Sequence, residues 1–356
     1  MKPSSGKNSA TPVRRKKGAK PLRRSLRADQ PTARLDPEHG LVAAVDIGAS
    51  NLRVAIADLN GHILGRWKAS TKETSSAEMV VAQIEQGIDS LLAQSSSPRR
   101  SLRSVAVGAP GVTDSKAGVV LATSYLRGWK NVPFRQMLES RLSVPAAIEN
   151  DVRMAALGEH WMGAARGVDD FVFLAIGTGI AAGIFANGKL IHGTHWTAGE
   201  VGYMHVPHTS EEPARPGQPG ALENILGGDG IRRQFSSACA DNGQSQSLMA
   251  TEIFARASSG DPRAQSVLVR SAQLLAYAVY NISLVLNSAL FVLGGGIGVS
   301  VPLCDATKRL LERYHAPSRP KLVISHLGSD AQLMGAIWLA LTTAKQPARS
   351  PQSARP

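Results

Sequence analysis

The chain has 356 residues, a formal net charge of +13 and 43 % hydrophobic residues, enough for about two packed domains. Its two cysteines, Cys239 and Cys304, lie far apart, which argues against a disulfide framework or a cysteine zinc site and for a reducing cytoplasm. No apolar run approaches the roughly 18 residues needed to span a bilayer, and the N-terminus lacks the apolar segment of a secretory signal.

The charge is concentrated at the N-terminus. Residues 1–40 hold eleven Lys/Arg against three Asp/Glu and show no apolar periodicity, which predicts a disordered basic arm. Such an arm can contact nucleic acid or another anionic surface, or it can be a solvated tail. Residues 346–356 also have the composition of a tail.

The folded part is expected to begin at Leu41. A buried strand, "LVAAVDIG", precedes two strands joined by an Asn-Gly turn, "NLRVAIADLNGHILGRWKAS". A helix with Ser and Glu at its start follows, "SSAEMVVAQIEQGIDSLLAQ". The strand "SLRSVAVGAPG" comes next, and the short strand "PAAIEND" leads directly into the helix "DVRMAALGEHWMG".

The same order then repeats. Three strands, "DFVFLAIGTG", "AAGIFANG" and "KLIHG", are followed by helices and by alternating strand and helix up to "DAQLMGAIWLALTTA". The repeat predicts two α/β lobes of related topology with a ligand cleft between them. We assign 41–149 plus 329–345 to the first lobe and 150–328 to the second.

Three glycine turns occupy corresponding places in the two lobes. The first, "VDIGASN", can wrap a phosphate with backbone N–H groups, and Asp46 at its strand end can hold a hydrated Mg²⁺. The second is "IGTGIAAG", and the third, "LGGGIG", lies at a strand-to-helix junction. Each alone fits an ordinary tight turn, but together they favour a nucleotide cleft. None matches the dinucleotide fingerprint or the P-loop.

Asn150 and Asp151 lie where a strand meets a helix. Both residue types are common helix caps. Asp151 also suits a general base for a sugar hydroxyl, and the helix N-terminus is expected to lower its pKa and keep it ionised.

These motifs, in this order, resemble the ROK family (repressors, open reading frames and sugar kinases) of the hexokinase/actin/Hsp70 superfamily. The resemblance covers roughly residues 41–345 and rests on "DIGASNLRVAI", "GAPGVTD", "ENDVRMAALGE", "IGTGIAAGIFANGKLIHG", "AGEVGYM", "ALE" and "LGGGIG". It implies a two-lobed actin-like ATPase fold. It also implies ATP-dependent phosphorylation of a hexose-type sugar, glucokinase-like and at the 6-hydroxyl, with Mg²⁺, in a cytoplasmic homodimer.

The resemblance also implies roles for individual residues. Asp151 is the general base, and Gly111 borders the sugar pocket. Asn150, Glu200 and Glu223 bind sugar hydroxyls, with Tyr203 beside them. The nucleotide-binding residues are Asp46, Gly48, Ser50, Asn51 and Arg53 in the first turn, Gly177, Thr178 and Gly179 in the second, and Gly294, Gly295 and Gly296 in the third.

The chain departs from the family around the sugar pocket. Tyr203 replaces the histidine of the family's structural zinc site, and "HTSEEPARPGQPGALE" contains none of its three cysteines. We therefore expect no zinc there. Tyr125 replaces a common sugar-contacting asparagine. A replacement metal site built from His192, His195, His205 and His208 is the minor alternative.

A sugar kinase is the leading hypothesis. A non-catalytic sugar-responsive regulator ranks below it, because only 40 residues, rich in Lys and Arg, precede the folded part of the chain. A degenerate kinase-like sugar-binding protein is the third hypothesis. The sequence does not identify the sugar, and it leaves open whether ATP or polyphosphate is the phosphoryl donor.

Overall fold

A computed structural model describes residues 40–48, 50–71, 76–124, 126–215, 218–239, 248–314 and 319–346. Most of the basic arm and of the C-terminal tail lies outside these residues, as do Ala49, Tyr125 and Pro216.

The described residues form strands that are numbered in chain order. They are β1 Leu41–Ile47, β2 Asn51–Asp58, β3 Ile63–Ser70, β4 Leu102–Ala109, β5 Val112–Asp114, β6 Val119–Ala122, β7 Lys130–Val132, β8 Ala146–Asn150, β9 Phe171–Ile176, β10 Ile180–Ala186, β11 Lys189–Leu190, β12 Leu290–Gly294 and β13 Lys321–Ile324.

The α-helices of the same residues are numbered likewise. They are α1 Ala77–Gln94, α2 Phe134–Leu142, α3 Asp151–Met162, α4 Glu223–Leu226, α5 Gly228–Cys239, α6 Ala250–Ser258, α7 Pro262–Leu286, α8 Gly295–Gly298, α9 Val301–Leu311 and α10 Ala331–Ala344.

Two five-stranded sheets have the same topology. The first has the order β3-β2-β1-β4-β8 and the second the order β11-β10-β9-β12-β13. In each sheet the first three strands are antiparallel, and the remaining pairings are parallel. The predicted repeat of a meander followed by alternating helix and strand is confirmed. All seven residues of β1 are buried, as expected for a central strand with parallel and antiparallel neighbours.

Local signals placed most of these elements correctly. Ser76 caps α1 by accepting a hydrogen bond from the Met79 amide at 3.3 Å. Asn187 and Gly188 both have positive φ, at 51° and 68°, which is the two-residue hairpin turn expected of Asn-Gly. The three-stranded sheet β5-β6-β7 was not predicted, because its strands are only three or four residues long.

Helix α7 corrects the expectation about apolar length. It is the one described helix long and apolar enough to cross a bilayer. Just over half of its most apolar window is buried, and residues such as Leu275 and Val279 belong to the core of the second sheet. This is the pattern of a core helix, which passes the same test of length and composition.

Helices α3 and α10 approach each other at backbone distance. A Cβ atom on Gly335 would lie 1.8 Å from the Met154 carbonyl oxygen, and one on Gly158 would lie 2.2 Å from that of Ala331. Both glycines are therefore needed for this packing. Because α10 also packs on β1 and β4, it fixes α3 against the first sheet.

We predict that Gly335→Ala destabilises the protein by about 2–3 kcal/mol, because the added methyl forces the two helices apart. Urea unfolding measures this. Thr343→Ala, in the last turn of α10, is the matched control and should change stability by no more than about 0.5 kcal/mol. Equal stability of Gly335→Ala and the wild type would show that the helices do not pack this closely.

Candidate active site

The turn between β1 and β2 is held by an ion pair. Asp46 and Arg53 are partners in the antiparallel register, and two guanidinium nitrogens lie 2.8 and 2.6 Å from Asp46 Oδ2. Burial raises the pKa of Asp46, while the charge and hydrogen bond of Arg53 oppose that rise. The Gly48 amide donates to the Asn51 carbonyl at 2.8 Å, and the Thr71 hydroxyl donates to the Gly48 carbonyl at 3.0 Å.

Arg53 also connects this turn to the residues at the start of α10. Its Nη1 atom donates to the Ser329 carbonyl at 2.6 Å, and its Nη2 atom donates to Gln332 Oε1 at 3.5 Å. Each guanidinium nitrogen thus already has a protein partner, so Arg53 shapes the turn rather than offering a free cation. Ser50 and Asn51 are exposed on the same turn.

The second and third glycine turns come together in the other half of the molecule. Gly177 N donates to Gly179 O at 2.9 Å, and the Gly228 amide donates to Gly177 O at 2.9 Å. Gly295 has φ +75°, and a Cβ there would lie 2.5 Å from the Ile176 carbonyl oxygen. This wall consists of backbone, and close contact excludes a side chain at Gly295, whereas the space beside Gly177 and Gly296 is open.

Gly227, which ends α4, and Gly228, which begins α5, complete this wall and were not predicted. A Cβ on Gly227 would lie 2.9 Å from the Thr178 carbonyl oxygen. Both glycines belong to "LGGDG", which begins three residues after Glu223, and two glycines between helices are also typical of an ordinary helix break.

Asn150 is the N-cap of α3, and Asp151 is its first helical residue. Asn150 Oδ1 accepts from the amides of Val152 and Arg153, both at 3.0 Å. Its Nδ2 donates to the Gly111 carbonyl and to Asp151 Oδ1, also at 3.0 Å. The structure thus brings Gly111, Asn150 and Asp151 together, as the predicted sugar pocket requires.

The expected low pKa of Asp151 is wrong. Its pKa is raised to about 7, first by burial and then by the negative charges of Asp46 and Glu200. A hydrogen bond from the Val152 amide at 2.9 Å lowers it by less. Burial and like charges thus outweigh the helix N-terminus. A Cβ on Gly108, the β4 partner of Asp46, would lie 3.7 Å from the Asp151 Cα atom, so Asp46 and Asp151 lie on neighbouring backbone.

A buried ion pair lies directly behind Asn150. Arg153 Nε donates to Glu149 Oε1 at 2.7 Å, and both side chains are at most 5 % exposed. Arg153 further donates to the carbonyls of Trp196 and Thr113, at 2.9 and 3.0 Å. Sequence analysis treated Glu149 only as part of a motif, because an (i, i+4) pair across a strand-to-helix junction has no periodic signal.

Glu149 has a second partner in His192, whose Nε2 lies 2.7 Å from Oε2. Burial is the largest single influence on the pKa of Glu149 and would raise it, but the His192 hydrogen bond and the Arg153 charge together lower it. Glu149 is therefore ionised at neutral pH.

Glu200 and Glu223 lie close to each other at the two ends of the 199–224 loop. Partial burial raises the pKa of Glu200, Arg153 opposes this, and Glu223 repulsion adds to it. Glu223 Oε2 already accepts from the Ile180 amide at 2.8 Å. One Glu223 oxygen thus already has a protein donor, which leaves Oε1 as the acceptor without a donor among the described residues.

The loop between these glutamates is closed by backbone contacts. A Cβ on Gly220 would lie 2.3 Å from the Gly202 carbonyl oxygen, so the two ends of the loop touch. Tyr203 is 52 % exposed. His205 Nδ1 lies 2.8 Å from the Ser210 carbonyl oxygen, and His192 is engaged by Glu149. Among the described residues no group of three or more His, Cys, Asp or Glu could hold a metal.

We predict that Glu149→Gln lowers stability by about 3 kcal/mol at pH 7, because it leaves the Arg153 charge buried without its partner. Glu149 has a lowered pKa, so its contribution is present above the unfolded-state pKa and is lost as the pH falls through the folded one. The stability gap should therefore shrink toward acid. Urea unfolding from pH 7 to pH 4 tests this, with the exposed Glu312→Gln as control; a gap independent of pH would refute the argument.

For Asp151 we predict the opposite dependence of stability on pH. Its pKa is raised to about 7, so its ionisation destabilises the fold increasingly as the pH rises from about 4 to 7. Asp151→Asn keeps the shape and removes the charge. It should be more stable than the wild type by about 2 kcal/mol at pH 8, and by less at pH 5. The exposed Asp305→Asn should show no such trend; a destabilised Asp151→Asn at pH 8 would contradict the assigned pKa.

Comparison with known proteins agrees with this geometry. The ROK family model matches residues 42–343. A glucokinase from Halalkalibacterium halodurans is 29 % identical over 308 residues, covering 83 % of this chain and 93 % of that protein. An N-acetylmannosamine kinase from Shigella boydii is 30 % identical over 303 residues, covering 83 % and 97 %.

A solved structure extends the likeness to three dimensions. The ROK family glucokinase from Streptomyces griseus, in complex with glucose and AMPPNP, superimposes with a TM-score of 0.71 at 26 % identity. The match covers 85 % of this chain and 100 % of that one. The chain therefore belongs to the ROK family and is a sugar kinase with the actin-like ATPase fold.

Proposed function

We propose that this kinase transfers the γ-phosphoryl group of ATP to the 6-hydroxyl of a hexose, with Asp151 as the general base. The observation that carries the proposal is the position of Asp151. Asn150 Nδ2 donates to its Oδ1, and a Cβ on Gly108, the strand partner of Asp46, would lie 3.7 Å from its Cα atom. Burial first, and then the negative charges of Asp46 and Glu200, raise the pKa of Asp151 to about 7. Asp46 belongs to the predicted phosphate-binding turn, and Glu200 belongs to the predicted sugar pocket. A base with a pKa near the working pH suits proton transfer.

The glycine turns support the nucleotide half of the proposal. The wall formed by Gly177, Gly228 and Gly295 is backbone, and the space beside Gly177 and Gly296 leaves room for a flat ligand. The first turn, with exposed Ser50 and Asn51, supplies the phosphate contacts in this proposal. Positioning of the phosphates, together with charge neutralisation, accounts for most of phosphoryl-transfer catalysis.

Asp46 fits a role in holding hydrated Mg²⁺. Arg53 binds its Oδ2, and Oδ1 has no other partner among the described residues, so it can accept from a metal-bound water. When bound, Mg²⁺ would neutralise phosphate charge. It would also weaken the repulsion between Asp46 and Asp151.

The sugar half rests on Glu200 and Glu223, with Gly111 and Asn150 beside them. The Asn150 amide already makes four hydrogen bonds within the protein, so its part is to hold Gly111 and Asp151 in place. In the proposed reaction the 6-hydroxyl attacks the γ-phosphorus, its proton passes to Asp151, and ADP leaves. Carboxylate acceptors discriminate epimers because a misplaced hydroxyl leaves an acceptor unpaired. Glucose is the default substrate, and exposed Tyr203 is a further contact that could extend recognition to a substituted sugar.

The two sheets support the lobe boundaries. All strands of the first sheet precede residue 151, and α10 returns to it, whereas the second sheet lies within 171–324. We keep 41–149 plus 329–345 and 150–328 as the proposed lobes. A homodimer, a cytoplasmic location and nucleic-acid contact by the basic arm stay predictions.

Phosphoryl transfer to a panel of hexoses, amino sugars and N-acyl sugars tests the proposal, with Mg-ATP and polyphosphate as alternative donors. Asp151→Asn should lower kcat by about 10²- to 10⁴-fold. The acid limb of the wild-type kcat/KM profile should have an apparent pKa near 7, far above that of an ordinary aspartate. Asp305→Asn is the control.

Transfer that survives in Asp151→Asn would remove Asp151 from the mechanism. No transfer to any sugar, together with sugar binding that is intact, would favour a non-catalytic sugar-binding protein or regulator. Preference for polyphosphate over ATP would keep the acceptor chemistry and change the donor.

A further inference from the structure

A cavity that is open to solvent lies among helices of the part of the chain that follows α3, and none of its lining residues belongs to the three glycine turns or is Asp151. Its volume is about 500 Å³, and it is lined by residues of α4, α5 and α7. Its polar lining residues include Asn224, Arg233, Gln234, Ser237, Ser266 and Arg270. We call it the α5–α7 cavity.

Two arginines give this cavity a positive character. Arg233 NH2 donates to the carbonyl and the Oδ1 atom of Asn224, both at 2.7 Å. Arg270 makes no hydrogen bond or ion pair with any described residue, and no described lining residue is acidic. An unpaired guanidinium beside a second one is suited to a phosphate, which it can bind through two parallel hydrogen bonds.

Gln234 offers this cavity a buried oxygen atom that lacks a hydrogen-bond donor. Its Nε2 donates to the carbonyls of Ile225 and Gly230, at 2.9 and 3.3 Å, which fixes the orientation of the amide. Oε1 is then buried, without a partner among the described residues. A buried acceptor in this state carries a desolvation cost that a ligand hydroxyl would remove. Ser237 and Ser266 can bind further hydroxyls.

We propose that the α5–α7 cavity binds a small phosphorylated polyol, with the phosphate on Arg233 and Arg270 and a hydroxyl on Gln234 Oε1. A sugar phosphate is the obvious member of this class, and choosing it rests on the proposed function, since it is the product of that reaction. The ligand class itself follows from the cavity.

The position of the cavity couples it to the proposed sugar site. Asn224 and Ile225 line it and directly follow Glu223 in α4, a helix of only four residues. A ligand that pulls Arg233 away from Asn224 moves the same turn that holds Glu223 against the Ile180 amide. Occupancy of the cavity should therefore change the KM for sugar more than kcat.

Binding by calorimetry without ATP tests the site, with glucose 6-phosphate, inorganic phosphate and glucose as probes. Glucose 6-phosphate should bind saturably and at least about tenfold more tightly than inorganic phosphate, because only it can also reach Gln234. Arg270→Ala should weaken that binding at least about tenfold, and Arg270→Lys by less. Arg263→Ala, two turns away on α7 and outside the cavity, is the matched control and should bind like the wild type.

Equal affinity of the wild type and Arg270→Ala, or the absence of saturable binding, would overturn the proposal. Equal affinity for inorganic phosphate and glucose 6-phosphate would overturn its polyol part. Product bound in the active site is distinguished because Arg270→Ala should leave it unchanged. If phosphoryl transfer fails with all sugars while Arg270-dependent binding holds, the proposed function is wrong and the cavity assignment stands.

Discussion

The junction of β8 and α3 depends on the buried pair of Glu149 and Arg153. This pair fixes the last residues of the strand relative to the first turn of the helix, and Asn150 and Asp151 lie between them. Arg153 extends the constraint to Trp196 and Thr113, so segments distant in sequence are held to the same helix start. Because a buried ion pair contributes little net stability over an apolar replacement, we interpret it as a device for position.

The same junction brings several carboxylates together, and their repulsion opposes folding. Asp46 and Glu200 raise the proton affinity of Asp151, and Glu223 raises that of Glu200. Arg53 and Arg153 compensate from the sides, each already committed to protein acceptors. Like charges brought together in this way destabilise the fold at neutral pH, and in the proposed function a bound cation and sugar hydroxyls would relieve the repulsion. Stability and ligand binding are thereby linked at one carboxylate.

Much of this architecture could be predicted from sequence patterns that depend only on neighbouring residues. The apolar run of β1, the Asn187–Gly188 turn and the Ser76 cap each depend on a few neighbouring residues, and each was predicted. The raised pKa of Asp151 could not be predicted from the sequence, because it depends on Asp46 and Glu200, which approach Asp151 only in the folded chain. The role of Gly227 depends likewise on a carbonyl of the second glycine turn.

The 199–224 loop shows how such a long-range arrangement can persist without metal ligands. In family members with zinc, a metal would join the loop ends, and this chain has none of the cysteines. Here the Gly202–Gly220 contact and the bond from Ile180 N to Glu223 join the same ends through backbone. The turn from Val206 to Thr209, closed by the Thr209 hydroxyl, shortens the free span between them. A metal crosslink is therefore unnecessary for keeping the two loop ends together. Gly199 also allows close approach here, because its φ is +95° and a Cβ on it would lie 1.9 Å from the Ala182 carbonyl oxygen.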